Sequence, residues 1–112
     1  HMGILPKYRG MNVLEWSLLY GDPVGVTIHF IDEGIDTGAI LIRRKLNIEK
    51  GDTIEKLRQK SIVLNLQLMK DATALIYEGK CEKISKPLLE GKQYFVMHYY
   101  LKELVELKLQ NL

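Results

Sequence analysis

With 112 residues, 46% of them apolar and 27% charged, the chain has the composition of one small globular domain or a piece of a larger one, not of a disordered or fibrous segment. A formal net charge of +2 gives no electrostatic argument for nucleic-acid binding, and charged residues interrupt every apolar run well short of membrane-spanning length. The one cysteine, Cys81, excludes an intrachain disulfide framework and a cysteine-based zinc site, and a reducing cytoplasm is the compartment expected.

Residues 3–10, with Pro6 and two glycines, read as a loop. The preceding His1-Met2 is either a cloning junction or native sequence beginning inside a fold. Asn12 is placed to cap a short helix through Val13, Leu14, Trp16, Leu18 and Leu19, closed near Gly21-Asp22-Pro23. Residues 24–31 alternate as a strand does, with Val26, Ile28 and Phe30 on an apolar face and Thr27, His29 and Ile31 on the other. Residues 39–48 read as a second strand, buried at its start and edge-like at Arg43-Arg44-Lys45. A connection of about seven residues makes the two a hairpin-like pair.

Asp52 and Glu55 have capping-box spacing and open a helix of roughly 26 residues, about 40 Å long. Ile54, Leu57, Leu64, Leu68 and Leu75 form its apolar stripe, widened by Ile62, Leu66, Met69 and Ile76, and Gly79 ends it. Residues 81–87 and 91–97 read as loop and short strand. The tail, residues 99–112, is an amphipathic helix with Leu101, Leu104, Val105 and Leu112 on one side.

Chemistry concentrates where the first strand ends. His29 leads into Asp32, Glu33 and Asp36, set between Gly34 and Gly38. Three readings of this loop stay open on the residues alone. It is a solvated turn, with glycines supplying positive φ. It is a hard-cation site, although the spacing lacks the alternating ligands and distal Glu of a calcium loop. Or it holds a general acid/base carboxylate near a histidine, with Asp36 tied to the sheet by Gly38. His29 itself reads equally as a packed structural histidine. Lys7 and Arg9 give the 3–10 loop the means to hold an anion. It is not a Walker loop, because the terminal Gly-Lys-Ser/Thr is missing.

Taken in order, these segments resemble the folate-dependent formyltransferase family. That family's pattern runs Asn-x-His-x-(Ser/Gly)-Leu-Leu-Pro-x-Tyr-Arg-Gly, a Trp-bearing helix, Gly-Val-Thr, then Asp-Glu-x-x-Asp-(Thr/Gly)-Gly. Here the matches are His1-Met-Gly-Ile-Leu-Pro-Lys-Tyr-Arg-Gly10, Asn12 with Trp16, Gly25-Val-Thr27, and Asp32-Glu-Gly-Ile-Asp36-Thr-Gly38. Val13 stands where the methionyl-tRNA and sugar branches often have proline.

The resemblance implies an α/β fold, the C-terminal half of a Rossmann-like formyltransferase domain. It implies transfer of a formyl group from N10-formyltetrahydrofolate to a primary amine, on methionyl-tRNA or an amino-sugar nucleotide, without a metal. By motif position Asp36 is catalytic, His1 is the catalytic histidine if native, and His29 supports Asp36; the family's Asn falls two residues before His1. Leu5, Pro6, Lys7, Tyr8, Arg9, Gly10, Asn12, Thr27, Asp32 and Glu33 are implied to bind substrate or cofactor.

Residues 1–97 are expected to be a partial catalytic domain and residues 98–112 a terminal helix available for oligomer contact. A homo-oligomer joined through the sheet edge or terminal helix is expected, because half a domain leaves apolar surface to cover. The alternative function is a catalytically inactive truncated domain serving assembly or binding.

Overall fold

The computed structural model describes residues 1–80 and 91–112, so the loop expected at 81–87 lies outside the described residues. The elements follow as β1 (Tyr8–Gly10), α1 (Val13–Tyr20), β2 (Gly25–His29), β3 (Ile40–Lys45), α2 (Ile54–Tyr77), β4 (Lys92–Tyr94) and α3 (Tyr99–Gln110). The class is α/β, as expected. β2 and β3 pair antiparallel from Gly25 opposite Lys45 to His29 opposite Ile40. The ladder is irregular between Ile28 and His29, just before the acidic connection at 30–39.

β2 puts Val26 and Ile28 into a cluster with Leu41, Ile42, Leu68 and Ala72, with Phe30, Leu64 and Leu75 packed against it. This is the alternation the sequence predicts, but the opposite face is buried too. Thr27 is fully buried, its Oγ1 donating to Gly3 O at 2.7 Å and accepting from Leu5 N at 3.1 Å. Residues 3–5 thus lie against the polar face of β2. Beyond them the loop expected at 3–10 becomes β1, because parallel pairing with β4 supplies partners for its backbone.

A second cluster joins Leu14, Leu18, Val24, Ile54, Leu57, Met97, Val105 and Leu109, so α1, the start of α2 and α3 share one core. Each fully buried aliphatic side chain such as Leu57 contributes about 1.5–3 kcal/mol. On α3 the buried residues are Val105 and Leu109, with Leu101 packed against the cluster, while Leu104 and Leu112 of the expected stripe stay exposed.

The helix ends depart from expectation in instructive ways. α2 has 24 residues and starts one position later than the capping box implies. Thr53 is its cap, accepting from Lys56 N, whereas Asp52 accepts from Glu49 N and Lys60 Nζ. Asn12 occupies the cap position of α1 without capping it. It is left-handed (φ 50°), and its Oδ1 accepts instead from Met97 N, 85 residues away, at 2.8 Å. Gly21 (φ 73°) and Gly79 (φ 68°) end α1 and α2 in the left-handed conformation glycine permits. Among the described residues no helix is long and apolar enough to cross a membrane.

Candidate functional site

Three segments meet at Asp36. The residue is itself left-handed (φ 55°), an uncommon state outside glycine that aspartate tolerates. Its loop stays close to β2 because Gly38 lies flat on Phe30, where an added Cβ would sit 1.6 Å from the Phe30 carbonyl oxygen. Asp36 Oδ2 accepts the Gly10 amide at 2.8 Å and lies 3.4 Å from His1 Nδ1, while Oδ1 lies 3.5 Å from His29 Nε2. The two imidazoles stand edge to face, 6.0 Å between ring centroids.

Both histidine side chains are largely withdrawn from water, 9% exposed for His1 and 13% for His29. Each has an oxygen at both ring nitrogens. His1 Nε2 lies 2.9 Å from Tyr8 O, and His29 Nδ1 lies 2.9 Å from Phe30 O. A carbonyl only accepts, so each of those nitrogens carries hydrogen and leaves its twin facing the carboxylate. Protonated at both nitrogens, either ring would present one N–H to its carbonyl and the other to the carboxylate. Such a carboxylate between two imidazoles can hold, orient and stabilise a positively charged proton carrier.

The comparisons with known proteins bear on this arrangement. The sequence profile described as "Formyl transferase" matches residues 1–73, which include His1, Gly10, His29 and Asp36. The chain belongs to the formyl transferase family. It is 35% identical over 96 residues to the human mitochondrial 10-formyltetrahydrofolate dehydrogenase, covering 84% of this chain and 10% of that protein. It is 38% identical over 87 residues to the methionyl-tRNA formyltransferase of Endomicrobium trichonymphae, covering 77% and 28%.

Among solved structures it is similar to the formyltransferase PseJ of Anoxybacillus kamchatkensis, with 33% identity and a TM-score of 0.75. That match covers 84% of this chain and 49% of PseJ, whose structure holds UDP-4,6-dideoxy-4-formamido-L-AltNAc and tetrahydrofolate. This formyltransferase-family chain therefore spans about half of that solved relative and a smaller share of the curated ones.

The remaining residues implied by the resemblance divide by what they touch. Arg9 leans on the Asp36 loop, donating from Nη1 to Ile35 O at 3.3 Å. Lys7 pairs with Asp22 at 2.7 Å instead of with the loop. Tyr8 is buried and stacked on Tyr94, and its hydroxyl donates to Asp22 Oδ2. Burial, then the Asp22 hydrogen bond, pushes that hydroxyl far above the usual tyrosine range, so it stays a neutral donor. Leu5 is fully buried and works through its backbone, accepting from Arg43 Nη1 at 2.9 Å. The Pro6 carbonyl is crossed closely by Gly91. Thr27 and Asn12 are joined to backbone, as described above. Asp32 closes its own turn, Oδ1 accepting from Gly34 N at 2.9 Å and Thr37 Oγ1 at 2.5 Å, and Glu33 is exposed.

Glu15 escapes the sequence reading. It is fully buried on α1, accepts from Arg58 Nη2 of α2 at 2.7 Å, and lies 3.9 Å from Lys102 Nζ of α3. With His1, Gly10, Asn12 and Arg58 it lines a cavity of about 290 Å³. The available signal was an acid three residues before Leu18, on the row of α1 that must be apolar.

Proposed function

We propose that this chain carries the proton-handling part of a folate-dependent formyl-transfer site, taking the formyl group from N10-formyltetrahydrofolate to a primary amine. The observation that carries the reading is the Asp36 carboxylate held by the Gly10 amide between His1 and His29. In formyl transfer the attacking amine must lose a proton while the formyl oxygen gains negative charge. A proton held at His1 Nδ1 faces Asp36, and the charge of that imidazolium is offset by the carboxylate beside it. The Gly10 N–H fixes the carboxylate so that it keeps this orientation. His29 closes the other carboxylate oxygen and is a positioning residue.

The residues of the loop suit a reduced folate. Ile31 is 92% exposed and Ile35 53% exposed, which leaves apolar surface in the Asp36 loop for a flat heterocycle. When bound, the folate supplies the formyl group. An amino-sugar nucleotide is the favoured amine, because PseJ holds a sugar nucleotide and a net charge of +2 offers little to grip tRNA. The single cysteine suits a cytoplasmic setting. Association of copies belongs to the same reading.

A second reading is a binding or assembly module without catalysis, and it draws on the exposed apolar side chains Ile62, Leu66, Met69 and Ile76 of α2. Calorimetric titration with 5-formyltetrahydrofolate separates the two. The first reading expects saturable binding at or below millimolar ligand that Asp36→Ala removes. No heat at millimolar ligand leaves only the second.

A further inference from the structure

β1 uses its two edges differently. Lys92 N donates to Lys7 O at 3.1 Å and Met11 N donates to Tyr94 O at 3.1 Å, so Lys7 and Met11 face β4. Backbone groups of successive strand residues alternate in direction. Arg9 therefore faces β4 as well, and Tyr8 and Gly10 turn their backbone groups the other way. On that side Tyr8 O lies 2.9 Å from His1 Nε2, and Gly10 N donates to Asp36 Oδ2 at 2.8 Å. A single edge of a three-residue strand thus holds both the imidazole and the carboxylate.

So short a two-stranded ladder is weak by itself, and aromatic packing reinforces it. Tyr8 is 1% exposed and stacks on Tyr94 of β4, with ring centroids 5.2 Å apart. The Tyr94 ring also meets Trp16 and Tyr20 of α1, at 5.4 and 6.2 Å. Trp16 donates from Nε1 to Phe95 O at 2.8 Å, which fastens α1 to the residue after Tyr94. Tyr94 therefore joins β1, β4 and α1 at one ring.

We propose that Tyr94 is a positioning residue for the Asp36 site and acts through β1. Its ring fixes the Tyr8 side chain, and the strand carries that constraint to the Tyr8 carbonyl and the Gly10 amide. A tilt or slip of β1 loosens both bonds together, and a misplacement of about 1 Å near reacting groups costs about a hundredfold in rate. His29 supplies the contrast. It belongs to β2, and its Nδ1 is held by Phe30 O at 2.9 Å, so its ring does not depend on β1. A packing role alone would spread the effect of Tyr94 over β2 and His29 as well. The proposal rests on the formyl-transfer reading for its chemistry and adds to that site a residue from the far end of the chain.

Hydrogen exchange followed by NMR at the Gly10 amide, the His1 Nε2–H and the His29 Nδ1–H tests it. Tyr94→Leu keeps an apolar side chain and removes the stack, whereas Tyr94→Phe keeps the ring. In Tyr94→Leu, exchange at Gly10 and His1 is expected to quicken about tenfold or more, with His29 and the β2 amides changing less than about twofold. Tyr94→Phe should restore the slow exchange. Tyr94→Met, whose flexible side chain refills the space, gives the same test if Tyr94→Leu loses its helix signal. Unchanged exchange at Gly10 overturns the positioning, and so does equal quickening at Gly10, His29 and the β2 amides. Titration with 5-formyltetrahydrofolate keeps the two claims apart. Equal affinity in Tyr94→Leu and the unsubstituted chain overturns the positioning and keeps the folate reading. Selective exchange at Gly10 and His1 without folate binding overturns the folate reading and keeps the hold of Tyr94 on Asp36.

Discussion

The Gly10 amide donates to Asp36 Oδ2 at 2.8 Å, joining the end of β1 to the loop after β2. Glycine is required there on two counts. Its φ is 99°, and an added Cβ would sit 2.2 Å from the Tyr94 carbonyl oxygen of β4. Gly10→Ala is therefore expected to cost about 1–3 kcal/mol from backbone strain alone and to displace the donor from Asp36. Urea denaturation checks this, and an unchanged midpoint counts against the close approach.

Asn12 bridges to the segment between β4 and α3, far along the chain, and its contribution can be separated from its unusual backbone. Asn12→Gly keeps the left-handed conformation but removes the acceptor for Met97 N, leaving a donor at the edge of the core unpaired. A loss of about 1–3 kcal/mol is expected, with faster hydrogen exchange at Met97. Asn12→Asp keeps the oxygen and should retain most of that protection. Equal exchange in both variants argues that the side chain does not hold the segment after β4.

The Glu15–Arg58 pair ties α1 to α2. Arg58→Met leaves the Glu15 carboxylate buried with Lys102 alone among the described residues as a nearby cation, and a loss of about 3 kcal/mol is expected for an uncompensated buried charge. Adding Glu15→Leu to Arg58→Met should recover much of the loss, since the double variant buries no charge. Additive destabilisation in that double variant would contradict the account.

Asp52 predicts how stability depends on pH. Its carboxyl is held below the usual aspartate range, first by the hydrogen bond from Lys60 and then by the Glu49 amide. Because the folded value is the lower one, this stabilisation is present above the unfolded value of about 4 and drains away as pH falls through the folded value. Asp52→Asn should lower the urea midpoint at pH 7 and flatten its decline in acid. The same acid slope in both proteins shows that Asp52 does not contribute it.

Local chemistry made much of the fold readable from sequence. Strand alternation marked Val26 and Ile28, the core stripe of α2 followed its helical period, and Gly21 and Gly79 stopped their helices. Burial by remote partners was not readable. Thr27 looks like a solvent-facing strand residue until residues 3–5 lie over it, and Asn12 looks like a cap until residue 97 arrives to claim its oxygen. The site was legible in a similar measure. Asp36 stood out from Asp32 and Glu33 through Gly38 and the ordered motifs, whereas the bonds by which Asp32 closes its own turn were not readable. Glu15 was hidden because its partners lie 43 and 87 residues further along, on separate helices.

The central claim is that Asp36, held by Gly10 and flanked by two histidines, forms a folate site. Amide chemical-shift mapping during titration with 5-formyltetrahydrofolate tests it most directly. The account predicts saturable shifts at Gly10, His29, Ile35 and Asp36, lost in Asp36→Ala while the β2–β3 and α2 resonances stay in place. Shifts confined to other surfaces, or none at millimolar ligand, would contradict it.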